Sequence, residues 1–207
     1  MRTFVSWLLA SIVVIATVAC TEDRPTPMAK NHYREVSHPT PNIERDTLNE
    51  MLGVVLHHTA LPTLEAALKE LTRPGGVSSH VVIDTDGTRY ILAPLTAVTY
   101  HAGKSILNGR ERCNNFCIGV EFQGNTAQVP LTKEQIGSGV EFLLPLITER
   151  HIPLDNIVTH KMVRDNFIHH HPTEKRCKTK VDISSSDYSR FMDALKVSLD
   201  SIQSLSE

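Results

Sequence analysis

The stretch LGVVLHHT, residues 52–59, sets the architecture. An apolar run gives way to two histidines and a threonine. Such a run fits a strand buried on both faces whose polar end emerges at a sheet edge. A second run, NIVTH at 156–160, ends the same way. Adjacent strands of this kind bring His57 and His160 together at one edge, where open α/β sheets commonly hold ligands. Side chains alternate along a strand, so His58 points the other way and packs.

Working outward from 52–59, Pro62 opens a helix with Leu64, Ala67, Leu68 and Leu71 on one face, and RPGG at 73–76 stops it. VSSHVVIDTDGTRYILA, residues 77–93, reads as a hairpin turning at Asp86-Gly87. CIGVEF, 117–122, alternates: Ile118, Val120 and Phe122 face the core, and Glu121 projects from the opposite face. Thr132 to Gln135 is a capping box for a helix towards Arg150, against which Gly137, Gly139 and Pro145 count. A last helix begins near Ser184, with Tyr188, Phe191, Leu195 and Leu199 on one stripe. Strands and helices intermix, so the fold class is α/β.

The ends of the chain tell of location. Arg2 precedes an apolar or small-residue run, FVSWLLASIVVIATVA at 4–19, too short for a comfortable membrane span. Residues 1–19 read as an export signal. The run closes on TVAC, which resembles a bacterial lipoprotein cleavage site, making Cys20 the lipidated first residue of the mature chain. An uncleaved N-terminal anchor is the alternative. Residues 20–45 contain Pro25, Pro27, Pro39 and Pro41 with no apolar period, and read as a lipidated N-terminus and tether. The folded domain is expected over 46–207. The protein is then exported, either anchored in a membrane through lipid and facing the periplasm or cell wall, or secreted. Cys113, Cys117 and Cys177 remain, an odd count that allows one disulfide and one free thiol. A net charge of −2 leaves no basic excess for nucleic acid.

HHHP at 169–172 adds a third histidine segment to His57 and His160. Histidines from three places near a carboxylate such as Glu121 form a zinc-hydrolase pattern, in which three ligands leave one position for water. The bland alternative is a pair of strand-end histidines satisfied by backbone groups.

VVLHHTA, VSSHVVIDTDG, YHAGKS, GRERCNNFCIGVEFQGN and IVTHKMVRD occur in order over roughly residues 50–195. Together they resemble the zinc-dependent N-acetylmuramoyl-L-alanine amidases and peptidoglycan recognition proteins, and GRERCN…IGVE points to the bacterial branch. The resemblance implies a central mixed β-sheet flanked by helices. It implies hydrolysis of the amide between N-acetylmuramic acid and L-alanine in peptidoglycan or muropeptides, with one Zn²⁺. A monomer is expected.

Carried over residue by residue, His57 and His160 match two zinc ligands and Glu121 the catalytic carboxylate. The third ligand in the family directly precedes a proline, which selects His171. His169 then takes the place of a lysine that stabilises the oxyanion, and His170 points away. Counting from His160 without a gap selects His170 instead. The resemblance places Ser79, His80, Tyr100, His101 and Ala102 along the substrate groove. Members that lose a ligand become non-catalytic peptidoglycan binders, which is the competing reading.

Overall fold

The computed structural model describes residues 33–44, 48, 50–174 and 182–204. The apolar run at 4–19, expected to be an export signal, and Cys20 and Cys177 lie outside the described residues. In chain order the strands are β1 (Glu35–Ser37), β2 (Ile43–Glu44), β3 (Gly53–His58), β4 (Val81–Ile83), β5 (Arg89–Ile91), β6 (Val98–Thr99), β7 (Ile106–Leu107), β8 (Arg110–Glu111), β9 (Cys117–Phe122) and β10 (Ile157–Thr159). The helices are α1 (Leu64–Leu71), α2 (Lys133–Arg150), α3 (His160–His170) and α4 (Ser185–Ser204).

Six strands form one mixed sheet in the order β1-β5-β4-β9-β3-β10. β3 lies between β9 and β10 and runs parallel to both, while β4 and β5 make the antiparallel hairpin expected around Asp86-Gly87. β3 is buried at every position, as its unbroken apolar run requires.

One sheet face carries Val54, Leu56, Ile83, Ile118, Val120 and Phe122. These pack with Ile136, Val140 and Leu143 of α2 and with Phe191 and Leu195 of α4. α2 starts at the capping box, Thr132 accepting from the Gln135 N–H and Gln135 accepting from the Thr132 N–H. Gly139, one of the residues that lower its helix propensity, serves packing. A methyl group at Gly139 would lie 2.7 Å from Phe191 and 3.1 Å from Phe122, so glycine lets α2 approach both α4 and the sheet. Tertiary contact overrides propensity here.

The opposite face carries Val55, Cys117 and Val158, packed with Phe116, Leu107 and Val163 of α3. Cys113 and Cys117 sit in this cluster as buried thiols. Val82 packs with Leu68 and Leu71 of α1. Helices therefore flank both faces.

The boundary expected at residue 45 falls too late. β1 pairs in parallel with β5, and β2 pairs with β6. The buried Arg89 draws this segment in, with its guanidinium 3.1 Å from Glu35 and 3.0 Å from Glu141. Asn42 knits it further: its amide donates to Arg73 O at 2.7 Å, its Oδ1 accepts from the Gly75 N–H at 2.8 Å, and its carbonyl accepts from the Ser78 hydroxyl at 2.6 Å. An edge strand held by backbone bonds and polar side chains has no apolar period, so it reads as linker. Among the described residues no helix is long and apolar enough to cross a membrane.

Candidate active site

The register of the three parallel strands builds the site. His57 lies beside Glu121 across β3 and β9, and Leu56 lies beside Thr159 across β3 and β10. One residue further, His160 falls beside His57. Glu121, His57 and His160 thus form a row across three strand ends, with about 4.8 Å between strands. They share the face of Val55, Cys117 and Val158, away from α2 and α4.

His57 and His160 are buried, and their rings meet edge to face at 4.9 Å between centroids. Their Nδ1 atoms are 3.1 Å apart. Two nitrogens bound to one tetrahedral zinc at 2.0–2.1 Å lie about 3.3 Å apart. The pair therefore fits two corners of a zinc site. Glu121 is half-buried beside them. His58 points to the other face, where its Nδ1 accepts from the Thr126 N–H at 3.1 Å, as alternation predicts.

The third ligand is where expectation and structure part. Residues 160–170 form a helix, begun by Thr159, whose hydroxyl accepts from the Met162 N–H. A helix of this length carries the chain about 15 Å along its axis. His171 therefore stands at the far end of α3 from His160. There its Nε2 is 2.7 Å from Glu111 Oε1 and its ring stacks on Phe167 at 4.3 Å. His169 and His170 are exposed on the same end, with His170 Nδ1 2.8 Å from Asn166 O. The structure therefore does not bring His169, His170 or His171 to His57 and His160, where the expected ligand and oxyanion roles would put them. Among the described residues, no three His, Cys, Asp or Glu groups gather to hold a metal.

A carboxylate that the sequence reading passed over lies much nearer. Asp182 returns the chain to the start of α3, where its Oδ2 accepts from the Lys161 N–H at 2.9 Å. Burial pushes its pKa up to about 6, against the pull of backbone N–H groups of Lys161, Ile183, His58 and His160. No local motif marks it, because its proximity to His160 is created by the fold.

The expected groove residues divide. Tyr100 is 38% exposed and donates its hydroxyl to Glu44. Ser79, His80 and Ala102 are fully buried and His101 nearly so, which removes their side chains from any groove surface. His80 Nε2 donates to Ala97 O at 2.9 Å, and its Nδ1 accepts from the Gly119 N–H at 3.0 Å. His101 has one ring nitrogen on His57 and the other on Cys117 O. These histidines hold the strands and the site together from beneath.

Burial lowers the His80 pKa to about 4. As pH falls below the ordinary value of 6.5, the unfolded chain takes up this proton before the native chain does. Stability is thus full above pH 6.5 and drains away down to about pH 4, by roughly 3 kcal/mol for this one group. Urea unfolding at pH 7 and pH 4.5 should give a smaller drop for His80→Gln than for the parent. Equal drops would mean that His80 is already charged in the native protein.

The family model Amidase_2, described as N-acetylmuramoyl-L-alanine amidase, matches residues 47–182. The 1,6-anhydro-N-acetylmuramyl-L-alanine amidase AmpD of Enterobacter cloacae is 37% identical over 84 residues, 41% of this chain and 44% of its own. The AmpD of Haemophilus influenzae is 38% identical over 88 residues, 41% of this chain and 46% of its own. The matched stretch spans less than half of these relatives. Among solved structures, an AmpD derivative aligns with a TM-score of 0.58 at 23% identity, covering 77% of this chain and 93% of that one, a likeness of fold. Escherichia coli AmiD, solved with anhydro-N-acetylmuramic acid-L-Ala-D-gamma-Glu-L-Lys, aligns with a TM-score of 0.50 at 26% identity, covering 60% of this chain and 51% of that one.

Proposed function

Because the chain belongs to the N-acetylmuramoyl-L-alanine amidase family, we propose that it hydrolyses the amide between N-acetylmuramic acid and L-alanine, with one zinc ion as cofactor. The observation that carries this reading is the row Glu121, His57, His160 across three parallel strand ends. A carboxylate beside two converging imidazoles is what hydrolysis needs and what glycan binding alone does not. The non-catalytic reading leaves Glu121 without a role.

His57 and His160 would hold the metal in this reading, and Asp182, whose carboxylate accepts from the Lys161 N–H at the start of α3, would turn towards them to complete the set. Bound zinc would supply Lewis acidity towards a water and the scissile carbonyl. Glu121 removes a proton from the attacking water and delivers it to the departing L-alanine amine. Its half-buried position beside His57 keeps the proton close to the reacting atoms. Tyr100, exposed and tied to Glu44, offers a phenol ring to the sugar or peptide.

Purified protein should carry about one zinc, as a three-ligand site with an open position would. Digestion of purified peptidoglycan should release stem peptides beginning with L-alanine, detected by mass. The same assay on a soluble 1,6-anhydro-muropeptide tests whether small fragments or intact wall is preferred. Intact glycan and peptide after prolonged digestion with zinc-loaded protein would leave the binding reading in its place.

The export reading is proposed on the apolar run at 4–19 and Cys20 alone. Cys20→Ser should release the protein from membranes or block its processing, followed by membrane fractionation. Equal membrane association of variant and parent would replace the lipid anchor with an uncleaved apolar one.

A further inference from the structure

We propose that His101 is a positioning residue that sets the tautomer of His57, holding a lone pair on His57 Nδ1 towards the metal position. This rests on the proposed metal site, and it follows from counting donors and acceptors along a buried chain.

A carbonyl oxygen only accepts, and Cys117 O is 3.2 Å from His101 Nε2, so that nitrogen carries the hydrogen. His101 is deeply buried with a ring nitrogen against another imidazole, which disfavours a second ring proton. A neutral imidazole with Nε2–H has a bare Nδ1. His57 Nε2 lies 3.1 Å from that Nδ1 and must donate to it. His57 Nδ1 is then the bare nitrogen, and it is the atom 3.1 Å from His160 Nδ1. The backbone carbonyl of β9 thus dictates, through two rings, which nitrogen of His57 is available. A ligating imidazole must be bare at the metal, and a fixed hydrogen bond on its other nitrogen raises affinity by holding tautomer and ring orientation.

The ring of His101 is seated for this task. It lies directly on Gly119, where a methyl group would come within 2.6 Å of it. Its backbone is pinned by Asn114, whose Oδ1 accepts from the N–H groups of His101 and Ala102 at 3.2 and 2.7 Å. Glycine at 119 is therefore required by the closeness of His101 to the strand.

The test begins with the full chain stripped of metal. Long-range proton–nitrogen correlation of its imidazoles should find His57 and His101 both protonated at Nε2. His101→Leu removes the acceptor. His57 should then lose its single tautomer, and the zinc Kd, read by chelator competition, should rise about 10- to 100-fold. Gly119→Ala, which pushes the ring away, should weaken zinc binding in the same direction. His101→Gln keeps a donor for Cys117 O and an acceptor for His57, and should recover most of both readouts. If His101→Leu fails to fold, the parent spectrum and the Gln variant decide. An Nδ1–H on His57 in the parent, or an unchanged zinc Kd in a folded His101→Leu protein, would overturn the proposal. A parent with the expected tautomers that takes up no zinc would support the positioning of His57 while overturning the metal site.

Discussion

Glu121→Ala should retain the fold and the zinc and lose turnover by about 10²- to 10⁴-fold, the range for a missing general acid–base group. The reason lies in its place in the row. Glu121 stands on β9, one strand from His57 and two from His160, on the same face as both. Removing its carboxylate leaves both imidazoles intact, together with His101 against His57. Zinc content and Kd should therefore stay near the parent values while kcat falls. Glu121→Gln keeps the shape of the side chain and should be equally slow, which separates proton transfer from packing. Loss of zinc in Glu121→Ala would make Glu121 a ligand and require the metal site to be redrawn around it.

The legible parts of the site are those that depend on strand periodicity. His57, His160 and Glu121 could be placed together because buried runs announce β3, β9 and β10, and alternation assigns their faces. The hairpin of β4 and β5 and the start of α2 were legible through turn and cap chemistry. α3 was not, because Val163 and Phe167 are its few buried apolar positions and its N-cap pairs with Met162 rather than an acid or amide. Missing that helix misplaced His169 and His171, since a helix separates residues that an extended turn would bring back. β1 was hidden because a short edge strand gains little from apolar burial. His101 was visible as a residue near the site, but its contact with His57 spans 44 positions of sequence, and only the fold reveals it as buried. The same holds for Asp182, brought to His160 by the return of the chain after α3.

The metal ligands give the other large effect. His57→Ala and His160→Ala should each abolish activity and strip zinc, because each removes one of two nitrogens that already stand at a zinc-like separation. The decisive comparison is with the third position. Asp182→Asn keeps the size of the side chain and an oxygen for the Lys161 N–H, so α3 should remain capped. It removes the negative charge and should cost zinc and activity together. The cost of metal loss should exceed any cost in stability, read by comparing thermal unfolding of the metal-free proteins. His171→Ala removes a ring that pairs with Glu111 and stacks on Phe167, far along α3 from His160, and should leave zinc in place. His169→Ala and His170→Ala, exposed at the same end, should also keep it. Zinc loss in His171→Ala with retention in Asp182→Asn would mean that α3 unwinds when metal binds, bringing the residue before Pro172 to the site. That outcome would restore the ligand set expected from sequence resemblance and remove Asp182 from the mechanism.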